Sequence, residues 1–132
     1  MKSEPETWSW EQQKKKKVEH WDGVRNYQAS NNMKKMKIGD LGFFYHSVKE
    51  RRIIGIVKVI KEYYPDHTDK KKIFGMVDLV AVKKLNEFVT LDQIKNTKEL
   101  LKMPLVKQSR LSVSPVSKAE WEIILRLGKT TI

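Results

Sequence analysis

His20, His46 and His67 are the only imidazoles in this chain of 132 residues, and it has no cysteine. Without thiols there is no thiolate nucleophile, no disulfide framework and no cysteine-bearing zinc or iron–sulfur site. His46 is followed by Ser47, two residue types that can form a base and a nucleophile. Successive side chains on a strand point to opposite faces, so the two cannot act on one another if both lie on one strand. A triad drawn from distant partners is neither supplied nor excluded. His20 adjoins Trp21 and Asp22, and His67 lies in a charged loop where solvation is its expected state. No HExxH, no DxDxDG and no histidine pair at ligand spacing occurs, and Gly39 and Gly42 lack the later glycine and lysine of a phosphate-cradling loop. The expectation is therefore no catalytic residue, no metal and no cofactor, with a hydrolase or nuclease using His46 as the alternative.

The residues suit recognition better than turnover. Trp21-Asp22-Gly23-Val24-Arg25-Asn26-Tyr27 puts a flat aromatic, a guanidinium and an amide on one short segment. An unpaired base uses those groups: stacking on an indole, an amide on its edge, a guanidinium on phosphate or stacked. Trp21 as a core plug and Asn26 as a helix N-cap account for the same residues equally well. Charge tips the balance. Lys and Arg total 27 against 16 Asp and Glu, a net charge of +11, and that excess favours polyanionic partners. It is spread over Lys14 to Lys17, Lys34-Lys35 with Lys37, Arg51-Arg52 and Lys70 to Lys72. Each run alone reads as solvated surface; together they point to a nucleic-acid backbone. A lipid surface would want large apolar residues opposite the lysines of Glu11 to Lys17, and there are none. No apolar run approaches the ~20 residues needed to cross a bilayer, and no secretory leader is evident. The expectation is a soluble cytoplasmic protein, nucleoid-associated or, in a eukaryote, nuclear.

The elements that must position these residues follow from local signals. The expected secondary structure begins with a short strand over Met1 to Pro5. Ser9-Trp10-Glu11-Gln12 is a capping box opening a helix of about two turns toward Lys17. Asp-Gly makes Trp21 to Arg25 a loop, with helix resuming near Asn26 and ending before Gly39-Asp40. Strands are expected at Leu41 to His46, Ile53 to Tyr64 and Phe74 to Leu85. Gly55 inside the second signals a bulge or a close backbone approach. Thr90-Leu91-Asp92-Gln93 and Ser117-Lys118-Ala119-Glu120 are further capping boxes, the last with a Val116–Trp121 staple and a stop at Gly128. Leu105 to Val116 reads as an irregular or edge strand. Strands in the centre with short helices at intervals make an α+β domain, a small partly closed barrel.

Lys2-Ser3-Glu4-Pro5, Trp21-x-Gly23-Val24-Arg25-Asn26-Tyr27-x-Ala29-x-Asn31, Gly39-Asp40 with Phe44-Tyr45-His46-Ser47, Gly55-Ile56-Val57 and Gln108-Ser109-Arg110-Leu111-Ser112-Val113 together resemble the EVE-domain family. These blocks stand in family order from Lys2 to about Leu127. The resemblance implies a PUA-like β-barrel of about five to six strands with short helices around it, in a single domain over 1–128 and a tail over 129–132. It implies a non-catalytic reader of a modified or flipped base in DNA or RNA. Its pocket would take Ser3, Trp21, Arg25, Asn26, Tyr45, His46, Ser47 and Ser109, with Arg110 on a phosphate; on charge, Lys14, Lys15, Lys34, Lys35 and Lys107 are expected to join it. No membrane partner is expected, and a monomer is favoured. A basic, structure-specific RNA-binding protein without a pocket is the other alternative.

Overall fold

The computed structural model describes residues 1–3, 8–47, 50–108 and 110–131. Its elements are β1 Lys2–Ser3, α1 Trp10–Lys16, β2 Val18–His20, α2 Tyr27–Lys34, β3 Leu41–His46, β4 Arg52–Pro65, β5 Gly75–Thr90, α3 Leu91–Lys95, α4 Pro104–Lys107 and α5 Lys118–Leu127, with a 3-10 turn at Lys98–Leu100. The strands form one mixed sheet in the order β1-β3-β4-β5-β2, in which only β1 and β3 run parallel. β1 and β2 are its two edges, so the α+β fold is an open sheet with several short helices rather than a closed barrel.

Each face of the sheet has its own core because side chains alternate along the strands. Phe44, Val57 and Leu79 pack with Trp10 of α1 and Ala29 and Met33 of α2. Phe43, Tyr45, Ile53 and Val89 pack with Ile94 of α3 and Ile124 of α5. The sequence places the helices through local chemistry. Ser9, Thr90 and Ser117 each accept from the backbone three residues on, and Gln12, Gln93 and Glu120 reach back, so all three capping boxes form. The expected bulge also forms: Phe44 pairs with Gly55 and Tyr45 with Ile53, leaving Ile54 as the extra residue.

Four details differ from the sequence expectation. β2 is a strand that Val18-Glu19-His20 does not announce; it pairs antiparallel with Leu79 and its neighbours. β5 runs on to Thr90, because Asn86 and Glu87, polar though they are, are held by Thr130 Oγ1 and the Gly128 carbonyl at 2.8 and 3.0 Å. Leu105 to Val116 contains no strand among its described residues. Pro104 opens α4 at its first turn, where a missing N–H costs nothing, and Ser112 and Val113 instead lend their carbonyls to Lys2 N and Asn32 Nδ2 at 2.9 and 2.7 Å. Gly128 caps α5 with φ −82°. A Cβ there would lie 3.1 Å from the Glu87 carbonyl, so close packing, not a left-handed backbone, asks for glycine. Pro5 lies outside the described residues, and the strand it would end spans Lys2–Ser3.

Candidate functional site

The loop from Trp21 to Asn26 is held from three sides. Trp21 N–H donates to the Val77 carbonyl at 2.8 Å, and its indole, 9% exposed, meets Phe44 edge-on with ring centres 5.8 Å apart. Gly23, at φ +79°, turns the chain so that its N–H reaches Asp66 Oδ2 at 2.8 Å. Arg25 donates to the same Asp66 oxygen and to Thr68 Oγ1, both at 3.0 Å, and its guanidinium lies over Phe74. Burial alone would raise the Asp66 pKa. The Thr68 hydroxyl, the Gly23 and Thr68 N–H groups and Arg25 outweigh it and bring the pKa down to about 2. Asn26 caps α2 by accepting from Ala29 N–H at 2.9 Å. Only its Oδ1 is used; among the described residues the exposed Nδ2 has no acceptor.

The second part of the site is where β1 and β3 end together. Ser3 pairs with His46, the Ser3 carbonyl accepts from Ser47 N–H at 2.8 Å, and Ser3 Oγ donates to the Trp8 carbonyl. His46 is buried, and its Nε2 accepts from Trp10 N–H at 3.0 Å. Its proton therefore sits on Nδ1, which faces the Glu50 carboxylate. Both ring nitrogens have structural partners, leaving none to act as a base on a substrate. Phe44 ties the two parts into one: Trp10, Trp21 and His46 stand around its ring at 5.5, 5.8 and 5.7 Å. Trp8, Trp10 and Phe44 were not among the expected site residues, although Trp10 and Phe44 stand in the quoted capping box and family block. The indole N–H of Trp8 donates to Gln13 Oε1 at 3.0 Å, whereas that of Trp10 is buried with no acceptor among the described residues.

The remaining expected residues lie elsewhere. Tyr45 projects from the other face of β3, buried with Phe43 and Ile53, and burial raises its pKa. It does not share a concave surface with His46, because strand alternation separates neighbours. A cavity of about 710 Å³ is lined by Tyr45, Phe43, Trp121, Met103 and others, but by none of Ser3, Trp21, Arg25, Asn26, His46 or Ser47. Lys14, Lys15, Lys34, Lys35, Lys107 and Arg110 are exposed, and none pairs with a carboxylate among the described residues. Ser109 lies outside the described residues. No group of three or more His, Asp or Glu among those described is arranged to hold a metal ion, and no described helix is long and apolar enough to cross a membrane.

Residues 1–127 match the EVE domain profile. This chain belongs to the EVE-domain family. The EVE chain is 38% identical over 133 residues to mouse thymocyte nuclear protein 1, covering 83% of this chain and 59% of that protein, so it spans less than two-thirds of the length of such curated relatives. It superposes on the crystal structure of an Agrobacterium tumefaciens protein with TM-score 0.95 at 47% identity, over 98% of this chain and 90% of that one. It matches the human THYN1 protein, crystallised in complex with DNA containing 5-methylcytosine, with TM-score 0.93 at 34% identity, over 100% of this chain and 97% of that one. These likenesses bear out the family resemblance and the α+β fold class, with the sheet open where a barrel was expected.

Proposed function

We propose that this EVE domain is a non-catalytic DNA-binding module that takes a modified base, 5-methylcytosine in the first instance, into the ground between the Trp21–Asn26 loop and the ends of β1 and β3. One observation carries the reading: the likeness, over the whole chain, to a human protein seen with DNA bearing that base. The net charge of +11 supports a polyanionic partner. The partnered ring of His46 weighs against the hydrolase alternative.

Extruding a base costs a few kcal/mol of unstacking, and stacking on an aromatic returns about 1–3 kcal/mol. Lys14, Lys15, Lys34, Lys35, Lys107 and Arg110 supply backbone affinity by releasing counterions. Specificity falls to Ser3, Trp21, Asn26, His46 and Ser47, with Ser109 assigned by resemblance. Arg25 holds the loop through Asp66, and Tyr45 supports β3 from behind. The buried indole N–H of Trp10, without an acceptor among the described residues, is a donor of the kind a bound base edge would satisfy. A methyl mark adds roughly 0.8 kcal/mol of apolar burial, about a fourfold preference.

Asn26 permits a clean test because its two side-chain atoms do different work. Serine caps a helix about as well as asparagine, so Asn26→Ser keeps the cap on Ala29 and removes the free amide. Stability should hold within about 0.5 kcal/mol, while fluorescence anisotropy should show the preference for methylated over plain DNA lost. A variant that still prefers the methylated strand as the parent does would exclude Asn26 from the pocket.

A further inference from the structure

The most exposed aromatic ring lies outside the proposed pocket. Tyr27, the first residue of α2, is 66% exposed and stands 5.1 Å from Phe74, the planes tilted by 46°. The Arg25 guanidinium also lies over the Phe74 ring, 5.9 Å from its centre. Ile73, 48% exposed, extends the apolar surface. The loop leading into it carries Lys70, Lys71 and Lys72, all exposed and none paired with a carboxylate among the described residues. The carboxylates of that loop are turned inward. Asp66 serves Gly23, Arg25 and Thr68, and Asp69, buried, accepts from the N–H groups of Lys71, Ile73 and Phe74 at 3.0, 2.9 and 2.7 Å. Asp22 is the remaining acid on these two loops. The outward surface is therefore an aromatic plate beside three lysines and an arginine, built on loops that two buried aspartates hold in shape.

An exposed plate beside three lysines that have no carboxylate partner among the described residues suits one class of occupant, a flat group attached to a phosphate backbone. We propose that Tyr27 and Phe74 form a stacking platform for an unpaired base of a DNA strand, next to the base taken by the pocket, with Lys70, Lys71 and Lys72 on its phosphates. The platform rests on the reading of this domain as a DNA reader but has its own residues. It gives the EVE domain a grip on the strand that does not depend on the mark.

The test is anisotropy on short single-stranded DNA, methylated or plain, with bases or abasic sites flanking the central cytosine. Tyr27→Ala should weaken binding about tenfold on strands with flanking bases, while Tyr27→Phe stays within about twofold of the parent. On strands with abasic flanks the parent should fall to the level of Tyr27→Ala, and the variant should lose nothing more. Phe74→Ala repeats the pattern, with melting by circular dichroism confirming that each variant folds. Equal affinity of Tyr27→Ala and parent, or an equal loss on abasic flanks, overturns the platform. Tight binding of RNA of the same sequence in place of DNA overturns its assignment to DNA. The methylated-to-plain ratio of the parent reports separately on the pocket: a parent without that preference but with the Tyr27 effect loses the reader and keeps the platform. A parent that binds no strand loses both.

Discussion

Asp66 is buried, yet its carboxylate takes hydrogen bonds from the Thr68 hydroxyl and N–H at 2.6 and 2.7 Å, from Gly23 N–H at 2.8 Å and from Arg25 at 3.0 Å. Those partners favour the ionised form, and the pKa falls from 3.8 to about 2 despite the opposing effect of burial. Because the folded value lies below the unfolded one, the stabilisation is complete above about pH 4 and is lost as the pH falls through 2. Asp66→Asn should cost about 1–3 kcal/mol at neutral pH, since it leaves Arg25 without its charge partner. It should also flatten the acid limb between pH 4 and pH 2 in urea denaturation. An unchanged midpoint and an unchanged acid limb would mean that the two loops are held by something else. Arg25 could be recognised in the sequence as a guanidinium beside an aromatic, but its use could not: its partner lies 41 residues away. The cap at Asn26 was one of two readings open in the sequence, and it could be read at all because a cap spans three residues.

At the scale of elements, β4 shows why a glycine sits inside a long strand. A Cβ on Gly55 would lie 2.6 to 2.8 Å from three atoms of the Trp10 ring. Trp10 is in turn packed on Phe44 and donates its backbone N–H to His46, so an added methyl would push α1 away from the end of β3. Gly55→Ala should destabilise by about 1–3 kcal/mol, read by thermal or urea denaturation. A variant as stable as the parent would show that the indole can move without cost. The glycine announced a bulge or a close approach, and both are present, because each follows from the missing side chain. β2 was not legible. Val18, Glu19 and His20 have no strand pattern of their own and become a strand only because β5 offers an edge. The residues from Leu105 onward erred the other way: their near-alternation suggested a strand, but Pro104 started a helix turn and no partner strand was at hand.

Across the whole molecule, the lysines and arginines outnumber the acids by 27 to 16, and Lys14, Lys15, Lys34, Lys35 and Lys70 to Lys72 are exposed with no carboxylate partner among the described residues. If the proposed function holds, affinity should fall steeply with salt while the preference for the mark stays constant. With four phosphates contacted, the affinity for duplex should drop roughly a hundredfold between 50 and 200 mM salt. The methylated-to-plain ratio should move by less than about twofold, because base contacts release few counterions. A ratio that collapses in parallel with affinity would place discrimination in the charges and not in a pocket.

What the sequence by itself determined is local or compositional: the helix starts, the Asp-Gly turn, the long central strands, the cationic surface and, through ordered motifs, the family. Caps and turns act over three or four residues, and charge needs no geometry, so neither waits on the fold. The tertiary structure alone decided which of these groups meet. It spent Arg25 on Asp66, closed both nitrogens of His46 and gathered three rings around Phe44. Such meetings depend on sheet register and on the crossing of distant segments, which nothing in a stretch of neighbouring residues encodes.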